Sequence, residues 1–254
     1  WSREEDMEQG FYHPITKARC QGALDADGNL VGLKLRISGQ SILAGIMPQA
    51  LNDGADMVVF QGLLPSGVDP RLEDQSIKYT FPTLLVDHAM RNPPVRPGFW
   101  RGVNANQNAI YLECFMDELA HAAGRDPLEF RLAHLKDSPK MATVLQAVAD
   151  KSGWGADDGL SRGLCCFYSF GSYTAACAEV TVSDEGELKM HRIVAATDPG
   201  YGVNPQQIDA QVAGSFVYGL SAMLHQEITF ENGETQQKNF NTYNSMRIAE
   251  MPDV

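Results

Sequence analysis

Three stretches of the chain alternate apolar and polar residues with a period of two and break at residues that tolerate positive φ. ARCQGALDADGNLVGLKLRIS, from Ala18 to Ser38, turns at Asp27-Gly28-Asn29. AACAEVTVSDEGELKMHRIVAAT, from Ala175 to Thr197, turns at Asp184-Glu185-Gly186. HQEITFENGETQQKNF, from His225 to Phe240, turns at Asn232-Gly233. Each predicts a hairpin. Helical periods lie between them. One helix begins near Asn106 and stops at Gly124, a natural C′ residue. Asp126-Pro127-Leu128-Glu129 supplies an N-cap, an N1 proline and a capping-box glutamate, and predicts a helix to about Leu135. Ser138-Pro139 opens another through about Asp150, and Asn204-Pro205 a last long one through about Leu224. In that last helix Ile208, Val212, Phe216, Leu220 and Met223 form one apolar stripe. Gly214 and Gly219 weaken it by about 1 kcal/mol each. They point either to close approach of another backbone or ligand, or to tight helix packing alone.

The first ninety-odd residues predict strand and loop, with no helix of length. The order of elements is strands, helices, then hairpin–helix–hairpin. That is an α+β fold of mixed or antiparallel hairpins with packed helices. It divides into a mainly β portion, 1–97, and a helix–hairpin–helix–hairpin portion, 98–254.

Composition narrows the function. With 254 residues, 44% of them hydrophobic, the chain can bury a sizeable core. A net charge of −12 argues against nucleic acid and anionic membrane surfaces as partners. No apolar run approaches the roughly 20 residues of a membrane span, and no secretory signal is visible. The chain opens without Met on WSREEDMEQGFYHP and reads as a portion of something larger, or as one chain of an assembly. Cys20, Cys114, Cys165, Cys166 and Cys177 show no CxxC spacing and read as buried thiols. The six histidines are scattered, and no HExxH, GxSxG, Walker or GxGxxG motif is present. Glu113, Asp117 and Glu118 identify no acid/base pair; the last two read as solvated or capping neighbours.

Two stretches carry candidate chemistry. In RPGFWRGVNANQNAIYLECFMDELA, Trp100 and Arg101-Gly102 precede Asn104, Asn106, Gln107 and Asn108 at a helix entrance. Free N–H groups, amide side chains and a guanidinium there suit an anionic or amide-rich ligand. The same residues also suit a plain helix cap with a structural ion pair. In DPGYGVNPQQIDAQVAGSFVYG, Gln211 lies two turns into a helix beside Gly214. It is placed to reach a heterocycle or to satisfy a buried carbonyl.

Together these stretches resemble a known family. GFWRGVNANQNAIYLECFMDELAHAAGRDPLEFRLAHL, the Ala178–Ser221 segment and the opening SREEDMEQGFYHP resemble the molybdenum-binding subunit of the xanthine dehydrogenase/aldehyde oxidase family. The short spacing between the DPLEFRL helix and the following strand, and the tail QKNFNTYNSMRIAEMPDV, resemble its isoquinoline 1-oxidoreductase β-subunit type. The resemblance implies a molybdopterin-binding fold and a molybdopterin cofactor with molybdenum, as the cytosine dinucleotide. It also implies Fe–S clusters on a 2Fe–2S partner subunit, and oxidation of an N-heterocycle or aldehyde with oxygen from water. Arg101, Gly102, Val103, Asn104 and Gln211 fall on cofactor-facing positions. Trp100 and Val103 fall on two substrate-pocket positions that are aromatic in xanthine dehydrogenases; Val103 departs from that pattern. The family's GGxFG loop and its GxGE motif, which carries the catalytic glutamate, are not in this chain. The resemblance therefore implies part of a pocket, completed by the remaining part of the molybdenum subunit, and no catalytic or metal-ligating residue here. A cofactor-free interaction scaffold and a carbohydrate- or peptide-binding α+β module are the alternatives.

Overall fold

A computed structural model describes residues 1–67, 73 and 75–254. Residues 68–72 and 74, part of the Gly/Pro/Asp-rich stretch expected to be loop, lie outside the described residues.

The first predicted hairpin pairs β1 (Thr16–Leu24) with β2 (Leu30–Gly39) in antiparallel register. Asp25 organises its turn, accepting bonds from the N–H groups of Asp27 and Asn29 at 2.9 and 2.8 Å. β2 buries Leu33, Leu35 and Ile37 on one face, as a period of two requires. β3 (Thr83–Met90) pairs parallel to β2 and makes the sheet mixed. The second sheet is antiparallel: β4 (Ser161–Ser169), β5 (Ser172–Val182) and β6 (Leu188–Asp198). The third hairpin is short, with β7 (Phe230–Glu231) and β8 (Glu234–Thr235) flanking Asn232 and Gly233 at φ of 51° and 86°. Two successive positive φ values are what a type I′ turn demands.

The helices start where their caps predict. Short α1 (Arg3–Glu8) and α2 (Ile42–Ile46) flank the first hairpin. α3 (Ala105–Ala122) stops at Gly124, φ +64°, with the Arg125 N–H bonded to Ala120 O at 3.0 Å. This is the paired bonding of a glycine C′ stop. α4 (Pro127–Ala133) is capped by Asp126, whose Oδ1 accepts from the Leu128 and Glu129 N–H groups; its Oδ2 accepts from Trp154 Nε1. Asp126→Ala is therefore expected to lower stability by about 1–2 kcal/mol in denaturant unfolding. α5 (Pro139–Ser152) and α6 (Pro205–Leu224) complete the set; Asn204 Oδ1 accepts from the Gln207 N–H at the start of α6.

One core joins both sheets to α3, α4 and α5. Leu33 and Leu35 of β2, Leu112 and Met116 of α3, Phe130 of α4, Leu145 of α5 and Cys166 of β4 belong to the same buried cluster. At its centre Arg131 is fully buried. Its Nε donates to Glu113 Oε2 at 3.0 Å, its Nη2 to Glu113 O at 2.9 Å, and its Nη1 to Asp117 Oδ1 at 2.6 Å. Glu113 also accepts from Tyr79 Oη and from the Cys166 N–H. Burial pushes the Glu113 carboxyl above its ordinary range, opposed by Arg131 and these donors. Asp117, expected to be a solvated or capping neighbour, stays half-exposed while one of its oxygens holds the internal guanidinium. Of the cysteines, Cys166 and Cys177 are buried and Cys20 half-buried, but Cys114 and Cys165 are exposed, contrary to expectation; all five are free thiols.

His134 ties the start of β2 to the end of α4. Leu30 N–H donates to its Nε2 at 3.1 Å, so Nδ1 carries the proton and donates to Phe130 O at 2.8 Å. Burial holds its pKa below the usual histidine value. Protonation of Nε2 breaks the Leu30 bond. The contribution of His134 is therefore complete above about pH 6.5, its unfolded pKa, and is lost as pH falls through the lower folded value. Melting temperature is expected to drop on acidification across that window, and His134→Gln to flatten the drop.

α6 packs lightly. Ile208, Val212 and Phe216 are half-buried and Leu220 is buried, but Met223, the last residue of the expected stripe, is 63% exposed. A Cβ added at Gly214 or Gly219 would meet nothing within 4 Å, so no backbone of the described residues approaches either glycine.

Candidate functional site

The loop before α3 is held from beneath. The Tyr12 N–H bonds Arg96 O at 3.0 Å and the Gly98 N–H returns to Tyr12 O at 2.8 Å. The opening segment of the chain thus pairs with the Pro97-Gly98 turn. The chain then passes through two non-glycine residues in the left-handed region, Arg101 at φ +40° and Val103 at φ +54°. For a β-branched residue this costs on the order of 1–3 kcal/mol and persists only where surrounding structure imposes it. Gly102 between them leaves room for the Asn106 carboxamide, into which a Cβ would run.

Of the two readings open for the amide run, the side chains of Asn104, Asn106 and Asn108 take the structural one and bond backbone carbonyls. Asn104 is buried, its Nδ2 donating to Val58 O at 3.0 Å and its Oδ1 accepting from Gln107 Nε2 at 2.6 Å. Asn106 Nδ2 donates to Trp100 O at 3.0 Å, and Asn108 Nδ2 to Val59 O and Gln61 O. The Ala105 N–H bonds Gln61 Oε1 and Gly102 O. The carbonyls of Val58, Val59 and Gln61, in and just after the Met57–Phe60 turn, accept from Asn104 and Asn108; Val58 O also accepts from the Gln61 N–H. The carboxamide of Asn104 thus supports the loop instead of lining its outer side.

What faces outward is Arg101, and it meets the second candidate stretch. Arg101 Nη2 donates to Gln211 Oε1 at 3.3 Å across 110 residues of sequence. The same guanidinium lies 5.1 Å over the ring of Tyr218. Trp100 stacks on Tyr218, with centroids 4.9 Å apart and planes 26° from parallel, and meets His13 edge to face at 5.8 Å. His13 Nε2 lies 3.4 Å from Val103 O and carries the proton of that bond. Burial lowers the His13 pKa and favours the neutral ring. Gln211, Gly214 and Tyr218 share one face of α6 by their i, i+3, i+7 spacing. Gly214 lies between the other two on that face, and a Cβ there would meet nothing within 4 Å. Arg101 and Gln211 are both exposed, and Arg101 makes no ion pair among the described residues.

Arg101, Gly102, Val103, Trp100 and Gln211 are therefore brought together. His13 and Tyr218 join them unforeseen. The spacing of Tyr218 from Gln211 was the available signal for the one; His13 lies in the SREEDMEQGFYHP opening that carries part of the resemblance, but no role was attached to it. Among the described residues no three His, Cys, Asp or Glu side chains converge as a metal site. No helix of the described residues is long and apolar enough to cross a membrane.

The model of one family, the molybdopterin cofactor-binding domain, matches residues 116–252. The chain is 28% identical, over its whole length, to the beta subunit of isoquinoline 1-oxidoreductase from Brevundimonas diminuta, of which it covers 32%. It is 29% identical over 92% of its length to a nicotinate dehydrogenase subunit from Pseudomonas putida, of which it covers 21%. It thus spans a third or less of these relatives. Its whole length superposes on 56% of one chain of quinoline 2-oxidoreductase from Pseudomonas putida 86 with a TM-score of 0.77 and 10% identity, a likeness of fold.

Proposed function

The chain belongs to the molybdopterin cofactor-binding domain family, and we propose that its Arg101 loop and the Gln211 face of α6 form part of the cofactor pocket of a molybdenum hydroxylase large subunit. The observation that carries this reading is the Arg101–Gln211 bond, which brings a guanidinium and a carboxamide from two distant stretches together at one exposed surface. A guanidinium with a carboxamide beside it suits a ligand that is anionic at one end and amide-like at the other, as a phosphorylated pterin is. Gly214 adds no bulk to that face of α6. Arg101, Gly102, Val103 and Gln211 would hold the group. Asn104 acts from below, fixing the turn.

When bound, the molybdenum cofactor supplies a two-electron oxidation with water as the oxygen source. The residues of this chain bind and orient it. Trp100 and Val103 border the substrate; a valine there removes a stacking partner and widens the space. The relatives named for isoquinoline and nicotinate support an N-heterocycle as substrate, with an aldehyde as the other choice. The cofactor is taken to be the cytosine dinucleotide form, electrons to leave through 2Fe–2S clusters on a partner subunit, and the remaining part of the molybdenum subunit to supply the GxGE glutamate. The test is metal and pterin analysis of the full-length protein purified with its partner. About one molybdenum and one pterin per chain are expected. Stoichiometric protein with neither would leave a cofactor-free scaffold.

A further inference from the structure

One face of β1 lies along α3, and the contacts fix where its residues sit. Near the start of the strand, Thr16 Oγ1 and Tyr111 Oη are 2.9 Å apart. Further along, a Cβ added at Gly22 would run into the Leu119 side chain. Cys20 shares that strand face by the period of two and falls between these points. Its Sγ donates to Tyr111 O at 3.9 Å. Helical side chains lean back over the turn that precedes them, so a carbonyl is covered by the residues three and four positions on. For Tyr111 O these are Cys114 and Phe115, and Phe115 packs against the core. Cys114 is left beside Cys20. Cys20 is half-buried, Cys114 is exposed, and both are free thiols. We propose that Cys20 and Cys114 form a redox pair that closes reversibly into a disulfide, Cys114 reacting first from solvent and Cys20 resolving the adduct.

The surroundings set the chemistry of the oxidant. Burial, then the Glu118 carboxylate and the neighbouring Cys114, push the Cys20 thiol up. Burial, then Asp117, Glu113 and Glu118, push the Cys114 thiol up, opposed by Arg131. Since the thiolate is the nucleophile, exchange is slow at neutral pH. The carboxylates around Cys114 also repel anionic oxidants, so the reagent that suits the pair is an uncharged small disulfide. The Cys114 thiolate attacks one sulfur of that disulfide, forms a mixed disulfide and releases one small thiol. The Cys20 thiolate then attacks the Cys114 sulfur, breaks the mixed bond and releases the second small thiol. Two protein thiols give up two electrons and two protons, and the reagent takes them up as two thiols. The product ties β1 covalently to α3. Neither sulfur belongs to the surface shared by Arg101 and Gln211, so the pair stands or falls separately from the cofactor reading.

The experiment treats the full-length protein with its partner with 2-hydroxyethyl disulfide at about pH 8.5, near the ordinary thiol pKa. Acid quenching, alkylation of the remaining thiols and mass spectrometry of the unreduced digest follow. The expected product is a peptide pair joined through Cys20 and Cys114, lighter by two hydrogens than its reduced halves and released by dithiothreitol. In Cys20→Ser the hydroxyethyl adduct is expected to accumulate on Cys114 and to outlive the same adduct in the unsubstituted protein by about tenfold or more. Cys20→Ala serves where circular dichroism shows that the serine variant does not fold. A lasting adduct on Cys114 beside a reduced Cys20 in the unsubstituted protein overturns the proposal. So does a pair left unmodified by the reagent, or Cys114 joined to any other cysteine.

Discussion

Arg131→Ala is expected to lower the unfolding free energy by about 3–5 kcal/mol, the largest stability effect of any single substitution considered. The guanidinium has no access to water and holds two carboxylates and a backbone carbonyl. Removing it strands Glu113, itself buried, as an uncompensated charge beside Tyr79 and Cys166. A cavity of guanidinium size adds to that cost. Arg131→Lys keeps the charge but cannot serve Glu113 and Asp117 together through a planar fork, so an intermediate loss is expected. Glu113→Gln should also be costly, because the carboxamide can present only one oxygen to three donors. The measurement is the denaturant midpoint at constant m-value. A loss below about 1 kcal/mol for Arg131→Ala would show that the site relaxes or hydrates freely. The effect reaches the candidate site, because Glu113 and Asp117 lie on α3, whose first residue follows the Val103–Asn104 turn.

Much of this fold was legible in local chemistry, and its failures have identifiable causes. Caps are local, so Asp126 and Asn204 accept the bonds their positions predicted. Asn232-Gly233 announced a turn because both residues tolerate positive φ. The turn joining β4 to β5 escaped notice because its first left-handed residue is Phe170, at φ +51°, a type that gives no turn signal. β3 escaped because a parallel partner arrives by a long connection and leaves no mark near β2. The amide run stayed open for a different reason. Donor-rich sequence fits a binding surface or internal support, and the choice is set by distant carbonyls, those of Val58, Val59 and Gln61, which accept from Asn104 and Asn108. The meeting of Arg101 with Gln211 was accessible only through family resemblance, since no periodicity links positions 110 residues apart. Tyr218 was within reach, because a residue seven positions beyond Gln211 on a helix shares its face.

Arg101→Ala should leave the protein folded and reduce bound molybdenum and pterin by about tenfold or more. The side chain is exposed and rests on Gln211 and Tyr218, so its removal costs the fold little; exposed contacts of this kind contribute at most about 1 kcal/mol. A charge-assisted hydrogen bond to a phosphorylated ligand contributes about 1.5–3 kcal/mol, and each 1.4 kcal/mol is a factor of ten in retention. Gln211→Ala removes a neutral donor–acceptor and should weaken retention by only a fewfold, about 1 kcal/mol. The double substitution should fall short of the product of the two, because Gln211 also steers Arg101 through their shared bond. Arg101→Lys separates charge from shape: a lysine that restores retention would make the interaction a point-charge one, while a lysine no better than alanine would assign it to the planar fork resting on Tyr218. Metal content is read by mass spectrometry on the full-length protein after gel filtration, with circular dichroism to confirm the fold. Full molybdenum in a folded Arg101→Ala protein would remove the surface shared by the Arg101 loop and α6 from the cofactor pocket, whatever the family membership of the chain.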